Sequence, residues 1–354
     1  MVEQIGPLEI VDRVVVAGGE PRGHRAWPGA ELAASGDLVV AYKEGSTHHL
    51  VDDEVVFVAR SSDGGSTWPE RRAVAGLPGR GYWTAHGLTR LSSGDLLLRI
   101  NFGWHGERTA ENPRGRWSST MMTRSSDHGR QWLAFGPIAD LPALDPRMHL
   151  SYGRALELAD GRIIAPFYGN PRGEPDATAR SVVVAYSSDG GLTWGDSVLV
   201  QDHHRDPSLC ASETDLLRLP DGRLMAMNRA NAKLSLYRAY SEDEGRTWSA
   251  LEPTGLPGQC PALVTLPSGA LLCLYRDVTP DQLGVGVGIS RDLGRTWEAV
   301  GHLYRGPNKD CAYPSPVLLA DGTIFTPYYT SAEPQARTGA CEIHGVRLRE
   351  GGAP

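Results

Sequence analysis

Long hydrophobic runs are missing from this sequence of 354 residues. It has no stretch of about 18 consecutive apolar residues, so we expect no membrane-spanning helix and no membrane partner. The first residues, MVEQIGPLEIVDR, contain neither the basic segment nor the apolar core of a secretory signal, and we therefore expect a cytoplasmic protein. An excess of positive charge is also missing, because 35 Lys and Arg stand against 42 Asp and Glu. The resulting net charge of −7 disfavours nucleic acid as a partner.

Cysteine is scarce, and the cysteines that are present show no pairing pattern. Their odd number does not suit a disulfide framework, and their spacing is not that of a metal site. We therefore expect reduced thiols, no metal and no cofactor. The five residues are Cys210, Cys260, Cys273, Cys311 and Cys341.

Helical patterns are missing as well, since no apolar stripe at helical spacing continues for three turns. Short runs rich in β-branched residues, such as EVVFVAR and RSVVVAYSS, alternate with turns of Gly, Asp and Ser. Together with 42 Gly and 25 Pro, these runs predict an all-β chain.

Two interleaved repeats organise the chain. The first is a box of the form S-x-D-x-G-x-T-W, with Gln131 in place of Thr in the second copy, and its five aspartates are Asp63, Asp127, Asp189, Asp243 and Asp292. The second is a hairpin around a glycine turn, whose six glycines are Gly36, Gly94, Gly161, Gly222, Gly269 and Gly322. Six such units predict a six-bladed β-propeller of four-stranded antiparallel blades, forming one domain over residues 1–354. The N-terminal DRVVVAG is expected to pair with the C-terminal CEIHGVRL and to close the last blade.

The residue types of the box are those of a turn. Ser and Asp supply short acceptors for backbone N–H groups, Gly permits a positive φ, and Trp anchors the turn between sheets. A calcium loop needs further carboxylates at alternate positions, which the box lacks. The boxes are therefore predicted to be structural.

Residues at equal offset from the repeat glycine are expected to converge at one mouth of the central channel. Nine positions before the glycines lie Trp27, Ala85, Tyr152, Glu213, Cys260 and Tyr313. Seven positions after them lie Lys43, Asn101, Tyr168, Arg229, Arg276 and Tyr329. A strand in the interior needs neither carboxylates nor arginines, so these positions predict a lined pocket. The alternative is a set of rim residues around a wet channel.

Beyond the boxes, three segments resemble the sialidase superfamily. CASETDLLRLPDGRLMAMNR resembles the family segment with a Glu and an Arg, DCAYPSPVLLADGT the segment with the catalytic Tyr, and HRAWPGAELAASGD the segment with the first carboxylate-binding Arg. The resemblance implies Tyr313 as the nucleophile and Glu213 as its base. It also implies that Arg25 and Arg229 bind the substrate carboxylate, with Arg276 in place of the family's third arginine. A neutral tyrosine suits an anomeric centre that already carries a carboxylate, where Asp or Glu would be repelled.

The general acid is the point at which the sequence departs from the family, which has an Asp on the loop before the first box. Here that position falls on His49 or Leu50. The loop therefore offers His48, His49, Asp52 and Asp53 as acid candidates, and histidine titrates in the range where acid–base chemistry is useful.

The predicted function is that of an exo-acting glycoside hydrolase that removes a terminal acidic sugar, either sialic acid or a related ulosonic acid. Trp27, His48, His86 and Tyr152 are expected to contact the sugar. The expected partner is an acidic carbohydrate, and the protein is expected to be a monomer or a small homo-oligomer. Two alternatives stay open. One is a polysaccharide lyase or non-sialic glycosidase that uses His and Tyr as acid and base, and the other is a non-catalytic glycan-binding propeller.

Overall fold

Strands make up all the regular structure in the part of the chain that the computed structural model describes. That part comprises residues 3–19, 23–48, 52–76, 81–107, 109, 115–133, 136–137, 141–176, 178–331 and 340–351. The all-β prediction is confirmed for these residues, none of which lies in a helix. Accordingly, no helix long and apolar enough to cross a membrane occurs among them. All five cysteines are free thiols.

The strands form six antiparallel groups. The chain begins with β1 (Gln4–Ile5) and β2 (Leu8–Ala17), which join the sixth group. Group 1 contains β3 (His24–Leu32), β4 (Leu38–Gly45), β5 (Val55–Ser61) and β6 (Glu70–Ala75). Group 2 contains β7 (Tyr82–Arg90), β8 (Leu96–His105), β9 (Arg116–Ser125) and β10 (Gly136–Pro137). Group 3 contains β11 (Leu144–Ser151), β12 (Leu156–Glu157), β13 (Ile163–Pro171), β14 (Ser181–Ser187) and β15 (Gly195–Gln201).

The second half of the chain follows the same order of strands. Group 4 contains β16 (Ala211–Arg218), β17 (Leu224–Ala230), β18 (Ser235–Ser241) and β19 (Glu252–Pro257). Group 5 contains β20 (Gln259–Thr265), β21 (Leu271–Asp277), β22 (Gly284–Ser290) and β23 (Glu298–Arg305). Group 6 contains β24 (Val317–Leu318), β25 (Ile324–Ser331) and β26 (Cys341–Glu350).

The two ends of the chain meet in group 6. Strand β2 pairs antiparallel with β26, with Val14 opposite Gly345, and β26 pairs in turn with β25. A single parallel contact between Cys341 and His24 then connects group 6 to group 1. These pairings join the first and last groups, as the segments DRVVVAG and CEIHGVRL predict.

The boxes form the turns between the last two strands of groups 1 to 5. In the first box, the Ser61 hydroxyl donates to Asp63 Oδ1 at 2.7 Å and accepts the N–H of Gly65 at 2.8 Å. The Thr67 N–H donates to the same Asp63 oxygen at 2.9 Å, and the indole N–H of Trp68 donates to the Gly65 carbonyl at 3.0 Å. Every polar group of the motif is thus used within the turn.

The same bonds recur in the other boxes, with one loss. In the second box, Gln131 replaces threonine, so the hydroxyl bond is lost, while the backbone N–H of Gln131 still donates to Asp127 at 2.7 Å. In the third, Thr193 donates both its N–H and its hydroxyl to Asp189. The boxes are therefore structural turns, as predicted.

The core lies between neighbouring groups rather than within one of them. Leu98 and Ile100 of group 2, for example, pack in one buried cluster with Val39 and Val58 of group 1. Because each sheet has two apolar faces, it is covered on both sides, and removal of this surface from water stabilises the packed arrangement.

Candidate active site

The backbone is irregular near the equivalent position in the first strand of several groups. Register shifts interrupt β3 between Ala26 and Gly29, β7 between His86 and Leu88, β16 between Ala211 and Thr214, and β20 between Gln259 and Ala262. At this level Trp27, Cys260 and Tyr313 also have positive φ values, of 56°, 52° and 49°. β-bulges redirect side chains and are frequent next to active sites. Here they direct side chains out of the regular alternation of the strands.

One side chain from each of the six groups reaches a common cluster. Its members are Trp27, His86, Tyr152, Glu213, Cys260 and Tyr313. The rings of Trp27 and His86 stack at 5.9 Å, and those of Tyr152 and Tyr313 meet edge to face at 5.6 Å. The Cys260 thiol donates to Glu213 at 3.1 Å. The offset of nine from the glycine thus identified five members, and in group 2 the bulge replaces Ala85 with His86.

Glu213 and Tyr313 form a buried hydrogen-bonded pair at the centre of the cluster. The Tyr313 hydroxyl donates to Oε1 of Glu213, and Arg229 Nη1 donates to Oε2 at 2.8 Å. Burial alone favours the neutral carboxyl group, but the charge and hydrogen bond of Arg229 prevail and lower the pKa of Glu213 to about 2. Burial raises the pKa of Tyr313 well above its ordinary value. At neutral pH the pair is a carboxylate beside a neutral phenol.

Two arginines flank this pair. The guanidinium of Arg276 lies 4.7 Å from the centre of the Tyr313 ring. Its Nε donates to the carbonyl of Cys311 at 2.8 Å, and its Nη2 donates to the Tyr329 hydroxyl at 2.9 Å. The Nε of Arg229 is buried and has no hydrogen-bond partner among the described residues. This cationic pair can stabilise a phenolate on Tyr313 and can bind an anionic group.

Arg25 does not lie with Arg229 and Arg276, which corrects the expectation that it binds the substrate carboxylate. Its Nε donates to Glu44 at 2.7 Å, and the two residues are opposite one another on β3 and β4. The preceding residue, His24, has its ring 6.4 Å from that of Trp27 in the cluster. Because successive side chains of a strand point to opposite faces, His24 occupies the face toward the site and Arg25 the other face.

The loop with the acid candidates contributes one described side chain to the site. His49 lies outside the described residues. Asp52 and Asp53 are exposed, and the Asp53 carboxylate accepts the backbone N–H of Ser46 at 3.1 Å, which places it in the turn of the loop. Asp53 is therefore corrected as an acid candidate because its carboxylate holds the turn, whereas Asp52 stays a prediction. The ring of His48, by contrast, meets that of Trp27 edge to face at 5.2 Å.

A buried carboxylate that the sequence analysis missed holds His48. Asp310 accepts a hydrogen bond from Nδ1 of His48 at 2.6 Å, from Nε2 of His24 at 3.1 Å and from the Tyr329 hydroxyl at 2.9 Å. A signal for it existed, because His24, His149 and Asp310 all stand twelve positions before a repeat glycine. That offset lies three positions further from the glycine than the offset that identified Tyr313.

Among the described residues, His24, Asp310 and Cys341 have potential metal-ligating atoms within 4.8 Å of one another. Both oxygens of Asp310 already accept hydrogen bonds. Burial raises the pKa of the Cys341 thiol, which disfavours the thiolate that a metal requires. We therefore interpret the group as a hydrogen-bonded cluster.

A cavity of about 230 Å³ borders the aromatic members of the site. His86, Tyr152 and Tyr313 form part of its wall, and Glu31 and Arg154 line it further along the chain from the cluster. The cavity therefore lies along the inner strands past the aromatic side chains, and Glu213, Arg229, Arg276 and His48 do not line it.

Comparison with known proteins connects this arrangement to one family. A family model described as "BNR repeat-like domain" matches residues 36–326. Two curated relatives are each named "Sialidase". The one from Bacteroides fragilis is 25% identical over 341 residues, covering 86% of this chain and 59% of the relative. The one from Micromonospora viridifaciens is 28% identical over 240 residues, covering 63% and 33%. The chain thus spans less than two thirds of the length of these relatives.

Solved structures show the same fold at low identity. A protein of unknown function from Dyadobacter fermentans has a TM-score of 0.83 at 22% identity, covering 97% of this chain and 99% of that one. The intramolecular trans-sialidase of Ruminococcus gnavus has a TM-score of 0.70 at 13% identity, covering 98% and 99%. A GH93 α-L-arabinofuranosidase of Fusarium graminearum has a TM-score of 0.61 at 13% identity, covering 94% and 97%.

Proposed function

Because the chain belongs to the sialidase superfamily of BNR-repeat proteins, we propose that it is a retaining exo-glycosidase that removes a terminal acidic sugar from a glycan. The sugar is sialic acid or a related ulosonic acid. The observation that carries this proposal is the hydrogen bond from the Tyr313 hydroxyl to the Glu213 carboxylate, with Arg229 and Arg276 beside it.

The proposed scaffold is a six-bladed β-propeller with one strand group per blade. Two features support a closed ring: β2 and β26 join the ends of the chain, and six side chains, one from each group, meet in one cluster. Such a ring places the first strands of all blades around a channel, so that their bulges converge at its mouth.

In the first step, Tyr313 attacks the anomeric carbon while Glu213 accepts its phenolic proton. The low pKa of Glu213 keeps it ionised and able to accept a hydrogen bond from the phenol. Its strength as a base increases as the negative charge develops on Tyr313, and Arg276 at 4.7 Å stabilises that charge. The product is a tyrosyl glycoside, which water then hydrolyses with overall retention of configuration.

Leaving-group protonation is assigned to His48, the acid candidate that the described loop brings to the site. Its side chain is 21% exposed, while Asp310 holds its Nδ1. Nε2 is then the atom that gives a proton to the leaving oxygen and later takes one from the attacking water.

The test uses an aryl α-sialoside and proton NMR to follow the configuration of the first product. Hydrolysis with retention, abolished in Tyr313→Phe, is expected. A fluorinated sialosyl fluoride should label the wild-type protein on Tyr313, and peptide mass spectrometry locates the label. Turnover that survives in Tyr313→Phe, or a product of inverted configuration, would contradict the proposal.

A polysaccharide lyase is the second candidate, because imidazoles gather around one aromatic residue. His24, His48 and His86 all lie with their rings within 6.4 Å of that of Trp27. A lyase would produce an unsaturated uronate, detected by its ultraviolet absorbance, and would lose activity in His48→Ala. Glycan binding without turnover of any acidic glycoside would instead indicate a binding module.

A further inference from the structure

Behind the candidate acid lies a buried carboxylate to which no function has been assigned. We propose that Asp310 is a positioning residue that fixes the tautomer and direction of His48 and connects it, through Tyr329, to Arg276. The catalytic meaning of this arrangement rests on the proposed function, whereas its geometry can be tested separately.

The hydrogen bond to Asp310 determines which nitrogen of neutral His48 carries the proton. A carboxylate only accepts hydrogen bonds, so Nδ1 of His48, 2.6 Å from Oδ1, carries a proton. Asp310 is 3% exposed, and although burial opposes its charge, the bonds from His24 and His48 lower its pKa. The neutral form of His48 is thereby the Nδ1–H tautomer, in which Nε2 is the basic nitrogen.

His24 shares the carboxylate but has a different role. It is fully buried, and burial, with a smaller contribution from Lys43, lowers its pKa to about 4. At neutral pH it is therefore an uncharged donor that fixes Oδ2 of Asp310. Of His24, His48 and Asp310, His48 is the residue whose side chain reaches solvent.

The second connection of Asp310 leads toward the arginines. Arg276 Nη2 donates to the Tyr329 hydroxyl at 2.9 Å, and Tyr329 donates to Asp310 at 2.9 Å. Tyr329 is fully buried, so it acts through its neighbours rather than by contact with substrate. Among the described residues, the thiols of Cys311 and Cys341 also lie near Asp310, and Lys43 lies near His24. In a series of hydrogen bonds each bond polarises the next, so the Arg276 guanidinium and the His48 imidazole are coupled.

The kinetic test compares two substrates that differ in their need for an acid. An alkyl sialoside has a poor leaving group, whereas a 4-nitrophenyl sialoside needs little protonation. In Asp310→Asn and Tyr329→Phe, kcat for the alkyl sialoside should fall by about tenfold to 100-fold. For the 4-nitrophenyl sialoside it should change by less than about threefold, because the acid contributes little there.

Tyr328→Phe is the matched control. Tyr328 is the preceding residue on β25, and its hydroxyl accepts a hydrogen bond from Arg13 at 3.3 Å rather than from the cluster. It should leave both rates unchanged, and thermal midpoints verify folding of all three variants. An equal loss on both substrates, or no loss on either, would overturn the positioning role.

A second readout does not need turnover and separates this proposal from the glycosidase proposal. In protein labelled with ¹⁵N-histidine, the neutral His48 ring should show Nδ1 protonated and Nε2 unprotonated, with the signal assigned by its absence in His48→Gln. An Nε2–H tautomer would refute the role of Asp310 whatever the substrate. If the tautomer is Nδ1–H and no sialoside is hydrolysed, the glycosidase proposal alone fails.

Discussion

Replacement of Glu213 by glutamine removes the charge at the centre of the site and retains its shape. The amide oxygen can still accept a hydrogen bond, but the side chain no longer accepts a proton from Tyr313. Loss of a general base typically lowers the rate by about 100-fold to 10,000-fold, and we expect kcat for an aryl sialoside to fall within that range.

The same substitution has a calculable effect on stability. Arg229 lies 2.8 Å from the Glu213 carboxylate, and the pKa of Glu213 is lowered from 4.5 to about 2. That difference corresponds to about 3 kcal/mol of folding free energy. Because the folded-state pKa is the lower one, the stabilisation is present above about pH 4.5 and disappears as the pH falls toward 2. The stability of the wild type relative to Glu213→Gln should therefore be about 3 kcal/mol greater at pH 7 than near pH 2.

Urea unfolding at a series of pH values measures this difference. The free energies of unfolding of wild type and Glu213→Gln should converge on acidification, while other carboxylates affect both proteins alike. A difference that stays constant between pH 7 and pH 3 would refute the assigned charge of Glu213. Full turnover by the glutamine variant would refute its role as the base.

Three further predictions test the placement of particular side chains. Gln131→Thr should restore the missing hydroxyl bond of the second box and raise the free energy of unfolding by about 0.5–1.5 kcal/mol, measured by urea titration, with kcat unchanged. Arg25→Gln should lower the thermal midpoint without changing KM, whereas Arg276→Gln should raise KM for an acidic glycoside about tenfold or more. The reverse result would show that Arg25 binds the substrate. Lys43→Met should lower the free energy of unfolding by about 3–5 kcal/mol, because it leaves Glu54 buried without its partner at 2.8 Å. The double variant with Glu54→Leu should recover much of that loss in the same urea titration.

The strand order was predictable because each repeat glycine and each box has only one place in a hairpin. Gly36, with a φ of 88°, marks the first turn of group 1, and equal offsets from such glycines identified Tyr313 and Glu213. Offsets fail where the backbone leaves regular alternation. The bulge at His86 is decided by local pairing, which spacing does not reveal. Arg25 was assigned by the family resemblance, which does not show the face on which its side chain lies.

Asp310 was missed for a different reason. Its function depends on three partners that are distant along the chain, and in the sequence it appears only as part of the unremarkable segment NKDCAYP. Its offset of twelve becomes informative once His24 has the same offset and the two are known to touch.

The departure of Arg25 changes how the site recognises an acid. Arg229, Arg276 and the Glu213 carboxylate lie beside Tyr313, and together they carry one positive charge. Asp310 adds a carboxylate one hydroxyl group further away, since it reaches Arg276 through Tyr329. If the substrate is the acidic sugar that we propose, its carboxylate would give the two arginines an anionic partner inside the site even without Arg25.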